Sequence, residues 1–162
     1  MAIIAFTDGS SLGNPGPGGY GIVIMDTEKK VMKQFSEGFR LTTNNRMELM
    51  AVIVTLEKLK FPNTEITIYT DSKYVADSIE KKWVFGWEKK GFAKKKNPDL
   101  WRRFLILYRK HKVKVQWIKG HAGNKYNEMA DELAVKAANS TDLKIDSGFE
   151  ESEESNNLIN FK

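Results

Sequence analysis

The chain has 162 residues, 41% of them hydrophobic and 29% charged, which suits one globular domain, and it holds no run of about 18 apolar residues, which excludes a membrane-spanning helix. No basic segment leads into an apolar leader, so export is not expected and a cytoplasmic protein is; cysteine is absent, so any metal must use oxygen or imidazole ligands. The net charge of +5 divides into −4 over residues 139–162 and +9 over residues 1–138, and so basic a body points to a polyanionic partner, nucleic acid first.

The first apolar run, Ile3 to Thr7, delivers Asp8 at its end. Six glycines and two prolines follow between Gly9 and Gly21, and a second apolar run continues to Met25. This predicts a strand, a glycine-rich reversal and a second strand, with a third over Val31 to Phe39, in an antiparallel meander. Gly16 to Gly21 spells GxGxxG, but a nucleotide-binding loop must open a helix, and this one contains Pro17 and runs into Ile22-Val23-Ile24. On its own, Asp8 reads as a turn acid.

Thr42-Thr43-Asn44-Asn45 supplies capping side chains for a helix running to about Lys60, with Leu49, Val52, Ile53, Leu56 and Leu59 at helical spacing. Glu48 lies at the edge of that stripe in the first turns, where the helix dipole favours an acid. Glu65 to Thr70 alternates as a strand and ends in Asp71, ahead of a helix over Ser72 to Lys81 that Asp71 is also placed to cap. Thr7-Asp8 and Thr70-Asp71 are one device used twice, a strand that delivers Thr-Asp at its exit. If the two strands are neighbours, their carboxylates share one site.

Residues 81–103 hold nine Lys or Arg against Glu88 and Asp99, with Trp83, Phe85, Trp87, Phe92 and Trp101 interleaved. The cations suit phosphates, and the rings either line a groove or face the core. With a loop over Lys94 to Pro98 this reads as a projecting helix–loop–helix. A helix from Asp99 to about His111, a strand over Val113 to Trp117 and a Gly- and Asn-rich loop holding His121 come next. The last helix, Asn127 to Ala138, carries Asp131 just off its apolar stripe. Beyond Asn139 the periodicity stops, and residues 139–162 are expected to be a disordered acidic tail, the Ser- and Asn-rich residues 147–157 above all.

The strings Phe6-Thr7-Asp8-Gly9-Ser10, Leu12 to Gly21, Thr42 to Met50, Thr70-Asp71-Ser72, Lys119-Gly120-His121-Ala122-Gly123 and Asp131-Glu132-Leu133-Ala134 together resemble type I ribonuclease H of the bacterial kind, over about residues 2–138. The resemblance implies an α/β ribonuclease H-like fold: a five-stranded mixed sheet of order 3-2-1-4-5, helices on both faces and a basic handle at about residues 81–103, all within a catalytic domain of residues 1–138. It implies an endonuclease that cuts the RNA strand of RNA–DNA hybrids and leaves 5′-phosphate and 3′-hydroxyl ends. Asp8, Glu48, Asp71 and Asp131 match the family's metal-binding carboxylates, and His121 matches its loop histidine.

Carboxylates gathered at one site raise one another's pKa, so their ionised coexistence calls for cations, and all-oxygen ligands favour two Mg²⁺, with Mn²⁺ as substitute. On the resemblance Asp8 bridges both ions, Glu48 and Asp71 complete one side, Asp131 completes the other, and His121 moves protons or helps product leave. Asn14 and Asn44 are expected to read the RNA 2′-hydroxyl, Thr43 to hold a DNA phosphate, and Trp83, Lys94, Lys95 and Lys96 to follow the DNA strand. Gly86 and Lys73 depart from the Asn and Gln of many bacterial members, which predicts altered affinity or sequence preference. The enzyme is expected to act as a monomer. The competing readings are a non-catalytic module that binds hybrid or duplex RNA, and a DNA-processing nuclease of the same fold.

Overall fold

The computed structural model describes residues 2–152. Its elements are β1 (Ile3–Ser11), β2 (Gly16–Asp26), β3 (Val31–Thr42), α1 (Asn44–Glu57), β4 (Glu65–Thr70), α2 (Lys73–Glu80), α3 (Trp83–Lys89), α4 (Pro98–Tyr108), β5 (Lys112–Trp117), α5 (Lys125–Ala138) and β6 (Leu143–Lys144). The sheet order is β5-β4-β1-β2-β3-β6. β1, β2 and β3 form the antiparallel meander, while β4 adds parallel to β1 and β5 parallel to β4. The expected order of five strands is therefore present, and the count is corrected to six. The added strand is two residues long and pairs Leu143 and Lys144 with Gly38 and Phe39 of β3.

The meander is longer than its apolar runs. β1 continues through Ser11 and β2 begins at Gly16, so the predicted reversal shrinks to Leu12–Pro15, closed by the Leu12 amide donating to the Pro17 carbonyl at 2.7 Å. The glycines there are strand residues because a helix lies against them. Side chains at Gly19 and Gly21 would run into the backbone of α5 at Ala134 and Ala130, and one at Gly38 would meet the Ala137 carbonyl. Alanines on α5 seated on glycines of β2 and β3 bring helix and sheet closer than larger side chains allow.

The other face of the sheet carries the larger core. α1 is buried nearly all round, from Met47 through Leu56, between the sheet and α4, and Trp101 and Phe104 of α4 are fully enclosed. Period-2 alternation assigns the faces: Ala5, Ile22 and Ile68 belong to the α1 side, Phe6 and Val23 to the α5 side. In the basic segment Val84, Phe92 and Trp101 face the core, Phe85 and Trp87 pack against it, and Trp83 is 48% exposed. Of the interleaved aromatics, Trp83 is the large exposed ring.

The expectation of disorder after Asn139 is corrected as far as residue 152. Beyond β6, Asp146 is buried, and residues 147–152 form a helical turn whose Phe149 and Glu150 amides donate to the Asp146 carbonyl at 3.1 and 2.9 Å. Local composition argued against order, but Asp146 has a buried cationic partner that offsets the cost of its charge. The rest of the predicted tail, residues 153–162, lies outside the described residues.

Candidate active site

The parallel register of β1 and β4 sets Thr7 opposite Thr70, so the next residues, Asp8 still within β1 and Asp71 just past the end of β4, stand at the same level. Neighbouring strands lie about 4.8 Å apart, which places the two carboxylates within reach of one cation. Glu48 joins them from α1. A side chain at Gly9 would collide with the backbone at Met47 and Glu48; without one, the first turns of α1 rest directly on β1. The Gly9 amide then donates to both Asp8 Oδ1, at 2.9 Å, and Glu48 Oε1. One oxygen from each of Asp8, Glu48 and Asp71 lies within 4.8 Å of the others.

Asp8 and Glu48 are each 4% exposed. Burial foremost, then the neighbouring charges of Asp71 and Asp131, pushes the Asp8 carboxyl up to about 8 despite its link to Glu48. Burial and the nearness of Asp8 and Asp71 likewise hold Glu48 well above the usual carboxylate range. Asp8 and Glu48 in such surroundings resist joint ionisation, and a divalent cation removes that resistance. Hard, all-oxygen donors fit such an ion.

Asp131, on α5, is near enough to help raise the Asp8 carboxyl, and stands apart from the tight group of three. His121 is fully on the surface, in the loop before α5, with its backbone in the left-handed region at φ 55°. The preceding residue, Gly120, lies against Asp71, whose Oδ2 occupies the space a side chain there would take. Trp117, 41% exposed, donates its indole N–H to the Asp71 carbonyl at 3.0 Å, and Lys73 sits over its ring at 4.9 Å. Trp117 escaped sequence reasoning because nothing in an alternating strand tells an exposed ring from a packed one.

A separate cleft of about 700 Å³ opens between the start of α1, the loop before α4 and the segment after β6. Asn14 and Thr43 lie along it together with Lys95, Lys96 and Arg102. Thr43 caps α1, its hydroxyl accepting from the Arg46 amide at 3.2 Å, and Asn14 Oδ1 accepts from the Asn44 amide at 3.1 Å, tying the β1–β2 turn to the helix. Lys94, outside the residues lining the cleft, is exposed and left-handed at φ 61°. Trp83 opens α3 with Lys81 over its ring at 5.2 Å. Gly86, on the same helix, has open space where a side chain would go.

A buried acid cluster that suits divalent cations, together with a cleft rimmed with cations, defines a hydrolase class acting on polyanions. The RNase H family model matches residues 1–139. A ribonuclease H of Trichodesmium erythraeum is 48% identical over 153 residues, covering 91% of this chain and 96% of the relative. One from Pseudoalteromonas translucida is 51% identical over 150 residues, covering 90% and 95%. Among solved structures, LC9-RNase H1, described as a type 1 RNase H with the type 2 active-site motif, superposes with a TM-score of 0.75 at 32% identity, covering 93% of this chain and 79% of that one. LC11-RNase H1, solved in complex with an RNA/DNA hybrid, gives a TM-score of 0.64 at 29% identity over 84% and 96%. The chain belongs to the RNase H family, and is a nuclease of that family.

Proposed function

We propose that this chain hydrolyses the RNA strand of RNA–DNA hybrids with two Mg²⁺ ions, leaving 5′-phosphate and 3′-hydroxyl ends. The observation that carries the reading is the convergence of Asp8, Glu48 and Asp71 oxygens within 4.8 Å of one another, in a protein that also has a cation-rimmed cleft. The hybrid-bound relative LC11-RNase H1 supports the substrate. When bound, the ions supply Lewis-acid stabilisation of the attacking and leaving oxygens; Asp8, Glu48, Asp71 and Asp131 are the residues to hold them, and Mn²⁺ is a substitute.

The protein's own groups do the rest. The Gly9 amide orients Asp8 and Glu48, so the donors are set before substrate arrives. His121, exposed in the loop whose Gly120 lies against Asp71, takes or returns a proton as the phosphodiester is cut. The Asn14–Asn44 link leaves the Asn14 amide nitrogen as a donor toward a 2′-hydroxyl, the group that separates RNA from DNA. Thr43, Lys94, Lys95, Lys96 and Trp83 hold the DNA strand, phosphates on the cations and a sugar or base on the ring. The protein acts as a cytoplasmic monomer. No helix among the described residues is long and apolar enough to cross a membrane.

The test is incubation of end-labelled RNA–DNA hybrid, duplex DNA and duplex RNA with Mg²⁺ and with EDTA. Cleavage confined to the RNA of the hybrid, and dependent on the ion, is expected. Binding without cleavage would return the non-catalytic module, and cleavage of duplex DNA the DNA-processing nuclease.

A further inference from the structure

Arg46, two residues before Glu48, is a buried cation outside the acid cluster, with its side chain 3% exposed. Its Nε and Nη2 donate to Asp146 at 2.8 and 2.9 Å, and its Nη1 and Nη2 donate to Asp99 at 2.9 and 2.7 Å. Nη1 also donates to Asn97 Oδ1 at 3.3 Å. Asp146 accepts further from the Thr42 hydroxyl at 2.7 Å. Three distant parts of the chain therefore meet on one guanidinium: the β3–α1 junction, the loop between α3 and α4, and the segment after β6.

That meeting point lies in the cleft. Asn14 and Thr43 belong to the junction side, Lys95 and Lys96 to the loop, and Gly148 and Phe149 to the C-terminal segment. The loop carries two left-handed residues, Lys94 and Asn97, at φ 61° and 62°, a backbone that Asn adopts readily and Lys does not. Its C-terminal end is fixed by the bonds from Arg46 to Asn97 and Asp99, and from the Asn97 amide to the Tyr74 hydroxyl at 3.1 Å.

Electrostatics alone do not account for Asp146. Two carboxylates on one guanidinium leave the trio net negative, next to a cleft that on the reading above receives phosphates. A buried ion pair is also a weak source of stability, since desolvation offsets most of its attraction. What the second carboxylate adds is direction: Asp99 grips one side of the guanidinium fork and Asp146 the other, so the plane cannot turn.

We propose that Asp146 is a positioning residue for hybrid binding: through Arg46 it holds the Lys94–Lys96 loop opposite Thr43 and Asn14, so that both walls of the cleft engage one phosphate backbone together. The inference rests on the proposed function for its ligand. It makes the C-terminal segment part of the substrate-binding architecture, beyond residue 139, where the family model's match stops.

The experiment uses the full chain with Asp146→Asn, and with Thr42→Val, which removes only the hydroxyl that steadies Asp146. Hybrid affinity is read by fluorescence anisotropy in EDTA, so binding is measured whether or not the RNA is cut, and KM and kcat follow in Mg²⁺. Asp146→Asn is expected to weaken hybrid binding and raise KM about fivefold with kcat within about twofold, and Thr42→Val to act in the same direction more weakly. In a Lys94→Ala/Lys95→Ala/Lys96→Ala background the Asp146→Asn effect is expected to fall below about twofold, because the loop it positions no longer carries charge. Tighter binding by Asp146→Asn would show that the carboxylate acts only as a repelling charge and would overturn the proposal. Unchanged binding, a loss confined to kcat, or full additivity with the lysine replacements would overturn it equally. If the wild type binds hybrid without cutting it, the functional reading fails while the anisotropy result still decides the role of Asp146; if it binds no hybrid, both fail.

Discussion

Replacing Asp8 by Asn is expected to make the metal-free protein more stable while abolishing hydrolysis. Folding carries the Asp8 carboxyl from an ordinary value of 3.8 to about 8, chiefly by burying it and then by crowding it with Asp71 and Asp131. A carboxyl raised in this way favours the folded state only while protonated. Its contribution is intact below about pH 4 and is lost progressively as pH rises toward 8. At pH 7, about three pH units above the unfolded value, the cost reaches at most about 4 kcal/mol, at 1.36 kcal/mol per unit.

Glu48 is raised along with Asp8, so part of that cost is shared between them and survives the substitution. A net gain of about 2–3 kcal/mol at pH 7 is the expected outcome, or about 5–10 °C in Tm for a domain of this size. Asn keeps an oxygen to accept from the Gly9 amide, so the local geometry is preserved. Thermal melting followed by circular dichroism in EDTA at pH 4, 5.5, 7 and 8 measures it. The gain should be absent at pH 4 and grow to pH 8. Millimolar Mg²⁺ should raise the Tm of the wild type and not that of the variant. An equal gain at pH 4 and pH 8, or none at pH 8, would refute the account of Asp8 as a carboxylate made costly by its surroundings.

Glu48→Gln and Asp71→Asn should each lower kcat about 10³-fold with hybrid binding kept, and His121→Ala about 10²-fold with an altered pH–rate profile; single-turnover cleavage across pH measures both. Replacing Lys94, Lys95 and Lys96 together by Ala should weaken hybrid binding and reduce the slope of log K against log salt by about 0.8 for each phosphate that no longer meets a cation, read by anisotropy at several KCl concentrations. Gly21→Ala should cost about 1–3 kcal/mol in urea unfolding, because the new methyl group meets the Ala130 carbonyl. Gly86→Ala, with open space around it in α3, should instead stabilise by about 0.5–1 kcal/mol.

The acid cluster was half legible before folding. Two apolar runs each ending in Thr-Asp announced a shared site, and the parallel register of β1 with β4 supplied the level at which they meet. Glu48 and Asp131 were legible only by resemblance, since an acid in the first turns of a helix also answers to the helix dipole. Arg46 carried no local signal, because its carboxylates stand 53 and 100 positions away along the chain. The two-residue β6 was invisible for a related reason: so short a strand has no period to read, and only its partner β3 makes it one.

The sequence by itself determined the elements, the basic middle and the residue types of the site, because periodicity, capping and turn chemistry act between neighbours along the chain. The tertiary structure decided which glycines are strand and which are turn, since the close approach of α5 and not backbone freedom requires them at Gly19 and Gly21. It decided that most of the handle's aromatics serve the core, and that an acidic segment with little apolar surface is ordered. Each of these depends on what lies across the molecule, where the cost of burying a charge or the room for a methyl group is set by a partner far away in sequence.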